Sequence, residues 1–223
     1  MDLTNRTNDN WLVVGWFTPD YERLAAKFAD TLDKYNVPYH LYARDKIHKV
    51  WNTKQKPRVL LGAMVQYPNK TIVLMDVDCI ITDNIANIVN FHGDVGIAAF
   101  VRTPTKNNWV HVHCSSRVVV IRPTLSAHRL VQNWLLFTHK DDRKGDEIGL
   151  AQAFIQTKGV DYHYLSREYS GRNITHTKDA IVTHDSAHAK QQPLNVLKWL
   201  EKKLLRTGKS RQEKAMADLS NSF

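Results

Sequence analysis

The sequence predicts an α/β fold with a mostly parallel central sheet and flanking helices. Short apolar runs typical of strands alternate with segments of helical periodicity, which is the pattern of βαβ units. The 223 residues have a hydrophobic content of 43%, so the chain is long and apolar enough to bury a large core. We therefore expect one domain at residues 11–190, followed by a basic C-terminal helix and tail at 191–223.

The pattern begins with a strand, a helix and a second strand. Residues 11–17 are a short apolar run that predicts a buried strand. Thr18 suits the N-cap of the following helix, and Pro19 suits its first position. Apolar residues recur every four positions in that helix, and residues 39–43 then predict the next strand.

The rest of the chain continues the alternation. The run TIVLM at 71–75 is the strongest strand candidate, because it is wholly apolar after its first residue. Ligands of parallel sheets bind beyond the carboxyl ends of the strands, so these ends are the places where we expect a site. Further strands are predicted at 95–100, 117–122, 160–165 and 180–183, and further helices at 55–67, from Pro123 onward and near 147–157.

Two acidic residues, Asp76 and Asp78, directly follow the strand at 71–75. Side chains two residues apart on a strand share one face, so the two carboxylates can converge on one cation. Mg²⁺ and Mn²⁺ favour oxygen ligands of this kind, commonly together with phosphate oxygens. The sequence therefore predicts a divalent metal site beside a bound phosphate group.

One known motif that fits this acidic pair is that of a phosphatase. The segment LMDVDCIITD resembles the motif of haloacid-dehalogenase-like phosphatases, in which Asp76 would accept the phosphoryl group and Asp78 would act as the general acid and base. That superfamily usually carries its motif on the first strand, whereas a strand, a helix and a second strand come before it here.

More of the chain resembles a second family, the nucleotide-sugar glycosyltransferases of the GT-A fold, and among them the glycogenin-like retaining group. The acidic pair matches the Asp-x-Asp motif of that group, and His184 lies six residues before Lys190, as the terminal His and Lys of the group do. The matching segments occur in the family's order: FTPDY at 17–21, DVDCIITDNIANIVNF at 76–91, CSSRVVVIRPT at 114–124 and GDE at 145–147.

The resemblance implies a GT-A type, Rossmann-like fold and assigns roles to individual residues. The metal ligands would be Asp76, Asp78 and His184. The residues that bind the nucleotide-sugar donor would be Thr18, Tyr21, Lys54 (or its neighbour Lys56), Asp76 and Lys190, with Thr18 and Tyr21 on the nucleotide and Lys190 on the diphosphate.

The same resemblance places two acids, Asp146 and Glu147, at the reaction centre. Asp146 would orient the donor sugar, and Glu147 would stabilise the positive charge that develops on the sugar or act as a nucleophile. An inverting enzyme would instead use one of them as the base for the acceptor hydroxyl. The chain departs from the group at Ser115 and Arg117, where the group has Asn and Gly.

These observations predict a metal-dependent glycosyltransferase that uses Mn²⁺ or Mg²⁺ and a nucleotide sugar, with a UDP-sugar and retention of configuration expected from the resemblance. The acceptor is left open between a glycan, a lipid-linked glycan and a modified DNA base. A Mg²⁺-dependent phosphatase and a nucleic-acid-binding protein remain the alternatives.

The net charge of +9 suggests an additional anionic partner. Residues 198–214 contain seven Lys and Arg and two Glu, so this segment alone carries +5. Its apolar residues could form one face of a basic helix on an anionic membrane or on nucleic acid. Residues 1–10 lack the apolar stretch of a signal peptide, so we expect a cytoplasmic protein, either soluble or peripheral at a membrane.

Overall fold

The computed structural model describes residues 1–5, 9–46, 54–102, 111–140, 145–169 and 180–184. These residues belong to the first of two compact units, residues 1–185. The second unit, residues 186–223, lies outside the described residues, and so do Lys190 and the predicted basic helix and tail.

Nine strands and four α-helices are found in the described part of the chain. The strands are β1 (Leu3–Thr4), β2 (Trp11–Phe17), β3 (Tyr39–Ala43), β4 (Thr71–Met75), β5 (Cys79–Ile81), β6 (Val95–Arg102), β7 (His111–Ile121), β8 (Tyr162–Tyr164) and β9 (Val182–His184). The helices are α1 (Glu22–Lys34), α2 (Gln55–Gln66), α3 (Leu125–Lys140) and α4 (Asp146–Gln156), with short 3₁₀ helices at Pro19–Tyr21, Ala86–Val89 and Arg167–Tyr169.

Seven strands form the central sheet, in the order β1-β3-β2-β4-β7-β6-β8. β2 pairs in parallel with both β3 and β4, and β6 pairs in parallel with β8. β1 and β7 run antiparallel to their neighbours, so the other five strands all point in one direction. The predicted α/β fold with a mostly parallel sheet and flanking helices is confirmed.

The sheet is buried on both faces, which explains why its central strands are continuous apolar runs. Along β4, Val73 and Met75 pack into the cluster that contains the buried face of α1. Ile72 and Leu74 point to the opposite face and pack with residues of α2, α3 and α4. Alternation of side chains along a strand therefore distributes one apolar segment between two cores.

Most element boundaries match the sequence prediction, and the differences arise where polar residues enter an element. The strand predicted at 117–122 begins at His111, because its first half is a polar stretch that pairs with β6. β5 and the two-residue β1 were not predicted. Among the helices of the described ranges, none combines the length and the apolarity that crossing a bilayer requires.

The start of the first helix differs in detail from the expected capping. The predicted N-cap, Thr18, precedes a 3₁₀ turn at Pro19–Tyr21, and α1 begins only at Glu22. The Thr18 hydroxyl donates a 2.5 Å hydrogen bond to the Asp20 carboxylate rather than capping the helix. The loop after β2 is thus held by side chains at the edge of the sheet where a ligand is expected.

Candidate active site

The carboxyl ends of β2 and β4 lie side by side, because these parallel strands pair directly. Gly15 of β2 allows a close approach at this edge. A Cβ atom there would lie 3.0 Å from the Met75 carbonyl oxygen and 3.2 Å from the Val77 side chain. Asp76 follows β4 at once, so the sheet presents its first carboxylate at the edge where ligands of such folds bind.

A second, two-stranded sheet brings the backbone of His184 to the Asp-x-Asp motif. β5 pairs antiparallel with β9, and Cys79 is the register partner of His184. Cys79 directly follows Asp78 in the sequence. Residues about 105 positions apart are therefore neighbours in the fold, although the side chain of His184 lies outside the described part of the structure.

A buried ionic cluster occupies the space between Asp76 and the start of α4. The Lys56 ammonium lies 2.8 Å from Asp76 Oδ1 and 3.1 Å from Asp76 Oδ2. The same nitrogen lies 3.0 Å from Asp146 Oδ2 and 3.0 Å from the Ser116 hydroxyl oxygen. One lysine thus joins the metal-ligand candidate Asp76 to the predicted sugar-orienting acid Asp146.

Two further groups fix the position of Asp146. The Ser116 hydroxyl donates a 2.7 Å hydrogen bond to Asp146 Oδ2, and the Trp134 indole N–H donates a 2.8 Å bond to the Asp146 backbone carbonyl. Asp146 is also the first residue of α4, where the helix dipole favours a carboxylate. This acid is therefore held from three sides, by β7, by α3 and by its own helix.

An irregularity in the sheet supplies Ser116. Consecutive residues Ile97 and Ala98 of β6 pair with Val119 and Ser115 of β7, so the β7 residues between these partners bulge out of the ladder. Bulges of this kind re-aim side chains and are common beside active sites. Here the bulge turns the Ser116 hydroxyl toward Lys56.

The pKa directions follow from burial and from an unequal number of charges. Burial lowers the pKa of Lys56, but the carboxylates of Asp146 and Asp76 outweigh this effect and raise that pKa above its usual range. Burial raises the pKa of the Asp76 carboxyl; Lys56 opposes this effect, and Asp78 adds to it. Lys56 is thus a permanent cation, while the neighbouring carboxylates still repel each other.

The two residues predicted to bind the nucleotide, Thr18 and Tyr21, follow the end of β2. Thr18 is only 3% exposed at the end of β2. Burial, followed by the negative charges of Asp78, Asp20 and Asp76, raises the pKa of the Tyr21 hydroxyl above its ordinary value of 10.0. Tyr21 therefore lies within electrostatic reach of both aspartates of the motif.

Two other predicted site residues take different positions. Lys54, at the N-cap of α2, is 1% exposed, but the lysine that bridges the two aspartates is Lys56. Glu147 is half-buried, and its charge adds to burial in raising the pKa of Cys114 to about 11. Glu147 therefore faces β7, next to the cluster around its neighbour Asp146.

Sequence reasoning missed Ser116 and Trp134. One signal for Ser116 was available, since Ser115 and Ser116 directly precede the predicted strand at 117–122, and a serine hydroxyl that is buried must find a hydrogen-bond partner. Within the described side chains, no group of three His, Cys, Asp or Glu residues converges on a metal position. The third predicted ligand, His184, has its side chain outside that part of the structure.

The comparisons with solved structures identify glycosyltransferases. One similar structure is a glycosyltransferase involved in the glycosylation of the major capsid of PBCV-1, with a TM-score of 0.60, 11% identity, and 80% of this chain and 94% of that chain covered. Another is GlyE of Streptococcus pneumoniae TIGR4, with a TM-score of 0.53, 14% identity, and 86% of this chain and 60% of that chain covered. A third is the galactosyltransferase LgtC in complex with donor and acceptor sugar analogs, with a TM-score of 0.50, 10% identity, and 80% and 88% covered.

At these identities the likeness establishes the fold. The chain has the GT-A type fold of these glycosyltransferases, as the sequence resemblance predicted. No protein-family model matches the sequence, and no curated protein matches it. The glycogenin-like subgroup and the roles of the site residues stay predictions.

Proposed function

We propose that the protein is a metal-dependent glycosyltransferase that transfers a sugar from a nucleoside-diphosphate sugar to the hydroxyl of a sugar or glycan acceptor. The observation that carries the proposal is the joining of Asp76 to Asp146 through Lys56 at the carboxyl edge of the sheet. The solved structures reported above favour neither the phosphatase nor the nucleic-acid-binding alternative.

The residues present fit a divalent cation. Asp76 and Asp146 both contact Lys56, and Asp78 is close enough for its charge to raise the pKa of Asp76, so three carboxylates lie in one region. Burial, together with the charges of Asp78 and Asp146, raises the pKa of Asp76, and a bound divalent cation would favour the charged form of that carboxylate. Asp76 and Asp78 would hold Mn²⁺ or Mg²⁺, with His184 as the third protein ligand.

Each part of the reaction then has a residue of this chain to support it. The bound cation would stabilise the negative charge of the departing diphosphate. Thr18 and Tyr21 would hold the nucleotide at the end of β2, and Lys190 would contact the diphosphate. Asp146, fixed by Ser116 and Trp134, would accept hydrogen bonds from the hydroxyls of the donor sugar.

The finer assignments extend this proposal. The donor would be a UDP-sugar, and configuration would be retained, because the ordered motifs resemble the retaining group. Glu147 lies beside Asp146 at the start of α4, where it could stabilise the positive charge that develops on the donor sugar.

An assay of donor hydrolysis and sugar transfer tests this function directly. The purified protein is mixed with a panel of nucleotide sugars and glycan acceptors, with Mn²⁺, Mg²⁺ or EDTA, and the products are identified by mass spectrometry. We expect metal-dependent release of the nucleoside diphosphate, reduced about 10²–10³-fold by Asp78→Asn and strongly reduced by His184→Ala.

A matched control tests whether removing any nearby acid would lower the activity. Asp83→Asn changes an exposed carboxylate five residues after Asp78 and should keep the wild-type rate. Full activity of both Asp78→Asn and His184→Ala would refute the proposed site. Hydrolysis of an aryl phosphate that disappears in Asp76→Asn would instead favour the phosphatase.

A further inference from the structure

Lys56 occupies the position that a cation on Asp76 would compete for. Its ammonium contacts both oxygens of the Asp76 carboxylate, at 2.8 Å and 3.1 Å. A carboxylate engaged through both oxygens by an ammonium has fewer electron pairs to offer a metal ion. The ammonium and a divalent cation on the same carboxylate would also repel each other.

Lys56 Nζ also has hydrogen-bond partners other than Asp76. Asp146 Oδ2 and the Ser116 hydroxyl oxygen are each 3.0 Å from Lys56 Nζ, so the ammonium can leave Asp76 and remain hydrogen-bonded. Charge supports such a move, because Asp146 is 8% exposed and needs a positive partner of its own. Lys56 therefore contacts two carboxylates with different proposed ligands: Asp76, which would bind the divalent cation, and Asp146, which would bind the donor sugar.

We propose that Lys56 is a resident counter-ion that competes with the divalent cation for Asp76 and moves toward Asp146 and Ser116 when the cation binds. In the metal-free protein the lysine compensates Asp76. In the metal-bound protein it compensates Asp146 and holds that carboxylate in position for the donor sugar. The inference rests on the divalent cation of the proposed function and assigns Lys56 as a positioning residue that links the two halves of the site.

Equilibrium binding of Mn²⁺, measured by calorimetry without any sugar donor, tests this competition. The informative protein is the double variant Lys56→Met/Asp146→Asn, which removes one positive and one negative charge. Its net charge equals that of the wild type, and the pairing between Lys56 and Asp146 is removed as a unit. Its reference is Asp146→Asn, which removes the same negative charge but keeps Lys56. We expect Mn²⁺ to bind to the double variant about tenfold more tightly than to Asp146→Asn, because the ammonium that contacts both Asp76 oxygens has been removed.

Two further variants examine the position of the charge. Lys56→Arg keeps a cation at this position, so its Mn²⁺ affinity should stay within about threefold of wild type by the same electrostatic argument. Lys158→Met removes an exposed lysine beyond the far end of α4 and should leave Mn²⁺ affinity unchanged. Thermal unfolding with and without Mn²⁺ checks that each variant is folded and gives an independent measure of binding.

The outcomes distinguish this inference from the function on which it rests. Equal or weaker Mn²⁺ binding by the folded double variant than by Asp146→Asn, with clear binding by wild type, would overturn the role of Lys56 and leave the proposed function intact. An absence of Mn²⁺ binding by both proteins would contradict the metal site itself. Tighter binding by Lys158→Met than by the double variant would show that the effect is not local, and would also overturn the inference.

Discussion

Two polar clusters among the described residues pair their groups in different ways. At the β1 edge of the sheet, His40 Nδ1 lies 2.7 Å from the Tyr67 hydroxyl, and His40 Nε2 lies 3.0 Å from the Asp2 carboxylate. The other Asp2 oxygen accepts a 2.8 Å hydrogen bond from the Ala43 N–H. One carboxylate therefore meets one imidazole, and both ring nitrogens are partnered.

The Lys56 cluster shows the opposite arrangement. Among the described contacts, Asp76 and Asp146 both meet the Lys56 ammonium, and Asp78 adds another carboxylate two residues after Asp76. Burial raises the pKa of Asp76, and the charges of Asp78 and Asp146 add to this rise against the opposing effect of Lys56. We refer to the His40 cluster as the matched cluster, because one carboxylate meets one imidazole, and to the Lys56 cluster as the mismatched cluster, because two carboxylates meet one ammonium in the described contacts. We expect the matched cluster to stabilise the fold and the mismatched cluster to bind a positively charged ligand.

The largest expected effect comes from removing the charge of Asp146 at the mismatched cluster. Asp146→Asn should lower kcat/KM about 10²–10³-fold, because the donor sugar loses its charged hydrogen-bond acceptor. Stability to urea should change by less than about 1 kcal/mol, since Lys56 keeps Asp76 as its partner. Strong destabilisation with intact activity would reverse the assignment of the two clusters.

The matched cluster should respond in the reverse manner. His40→Ala removes a ring that stacks on Tyr42 at 3.9 Å and leaves the Asp2 and Tyr67 groups without their partner. We expect a loss of about 3 kcal/mol in the free energy of unfolding, measured by urea denaturation, from unpaired polar groups and lost packing. The specific activity of the folded fraction should equal that of wild type, and a selective loss of activity would show that this edge takes part in function.

An intermediate effect is expected where α4 packs against α3. A Cβ atom on Gly149 would lie 2.2 Å from the Thr138 hydroxyl oxygen and 2.9 Å from the Thr138 backbone nitrogen. Gly149→Ala must therefore shift α4 away from α3, at a cost of about 2 kcal/mol in overpacking. Since α4 begins at Asp146, both the melting temperature and kcat should fall together, and a fall in only one would separate the helix position from the site.

The smallest effect concerns pH at the matched cluster. Burial raises the pKa of Asp2, but the hydrogen bonds with His40 and with the Ala43 N–H outweigh burial and lower that pKa below its ordinary value of 3.8. The charged Asp2 carboxylate therefore stabilises the fold at a pH above its ordinary pKa, and this contribution is lost as the pH falls through the lowered pKa of the folded state. Asp2→Asn should remove this part of the acid sensitivity, by less than about 0.5 kcal/mol because the carboxyl is partly exposed. A denaturation series from pH 6 to pH 2 checks it, and identical pH profiles of the two proteins would contradict the role of Asp2.

The sequence predicted those parts of the fold in which one short segment carries its own signal. The strands at 11–17, 39–43 and 71–75 have the predicted bounds, because strands buried on both faces are continuous apolar runs. β7 was predicted too short, since its polar first half becomes a strand only by pairing with β6. Propensity cannot report a pairing partner that lies elsewhere in the chain.

The same distinction applies to the site. Asp76 and Asp78 are found from the sequence because their two-residue spacing is itself the signal. The contacts of Lys56 with Ser116 and Asp146 join residues 60 and 90 positions apart, and they exist only because α2 and α4 pack on the same face of the sheet. The choice between Lys54 and Lys56 depends on the rotation of α2, which a sequence pattern does not specify.

The central claim is a linked site for a divalent cation and a nucleoside diphosphate. Calorimetric titration of UDP into the wild-type protein, with Mn²⁺ and with EDTA, measures that linkage without requiring a known acceptor. We predict UDP binding that depends on Mn²⁺ and is lost in Asp78→Asn. Equally tight UDP binding in EDTA and in Asp78→Asn, or no UDP binding under any of these conditions, would contradict it.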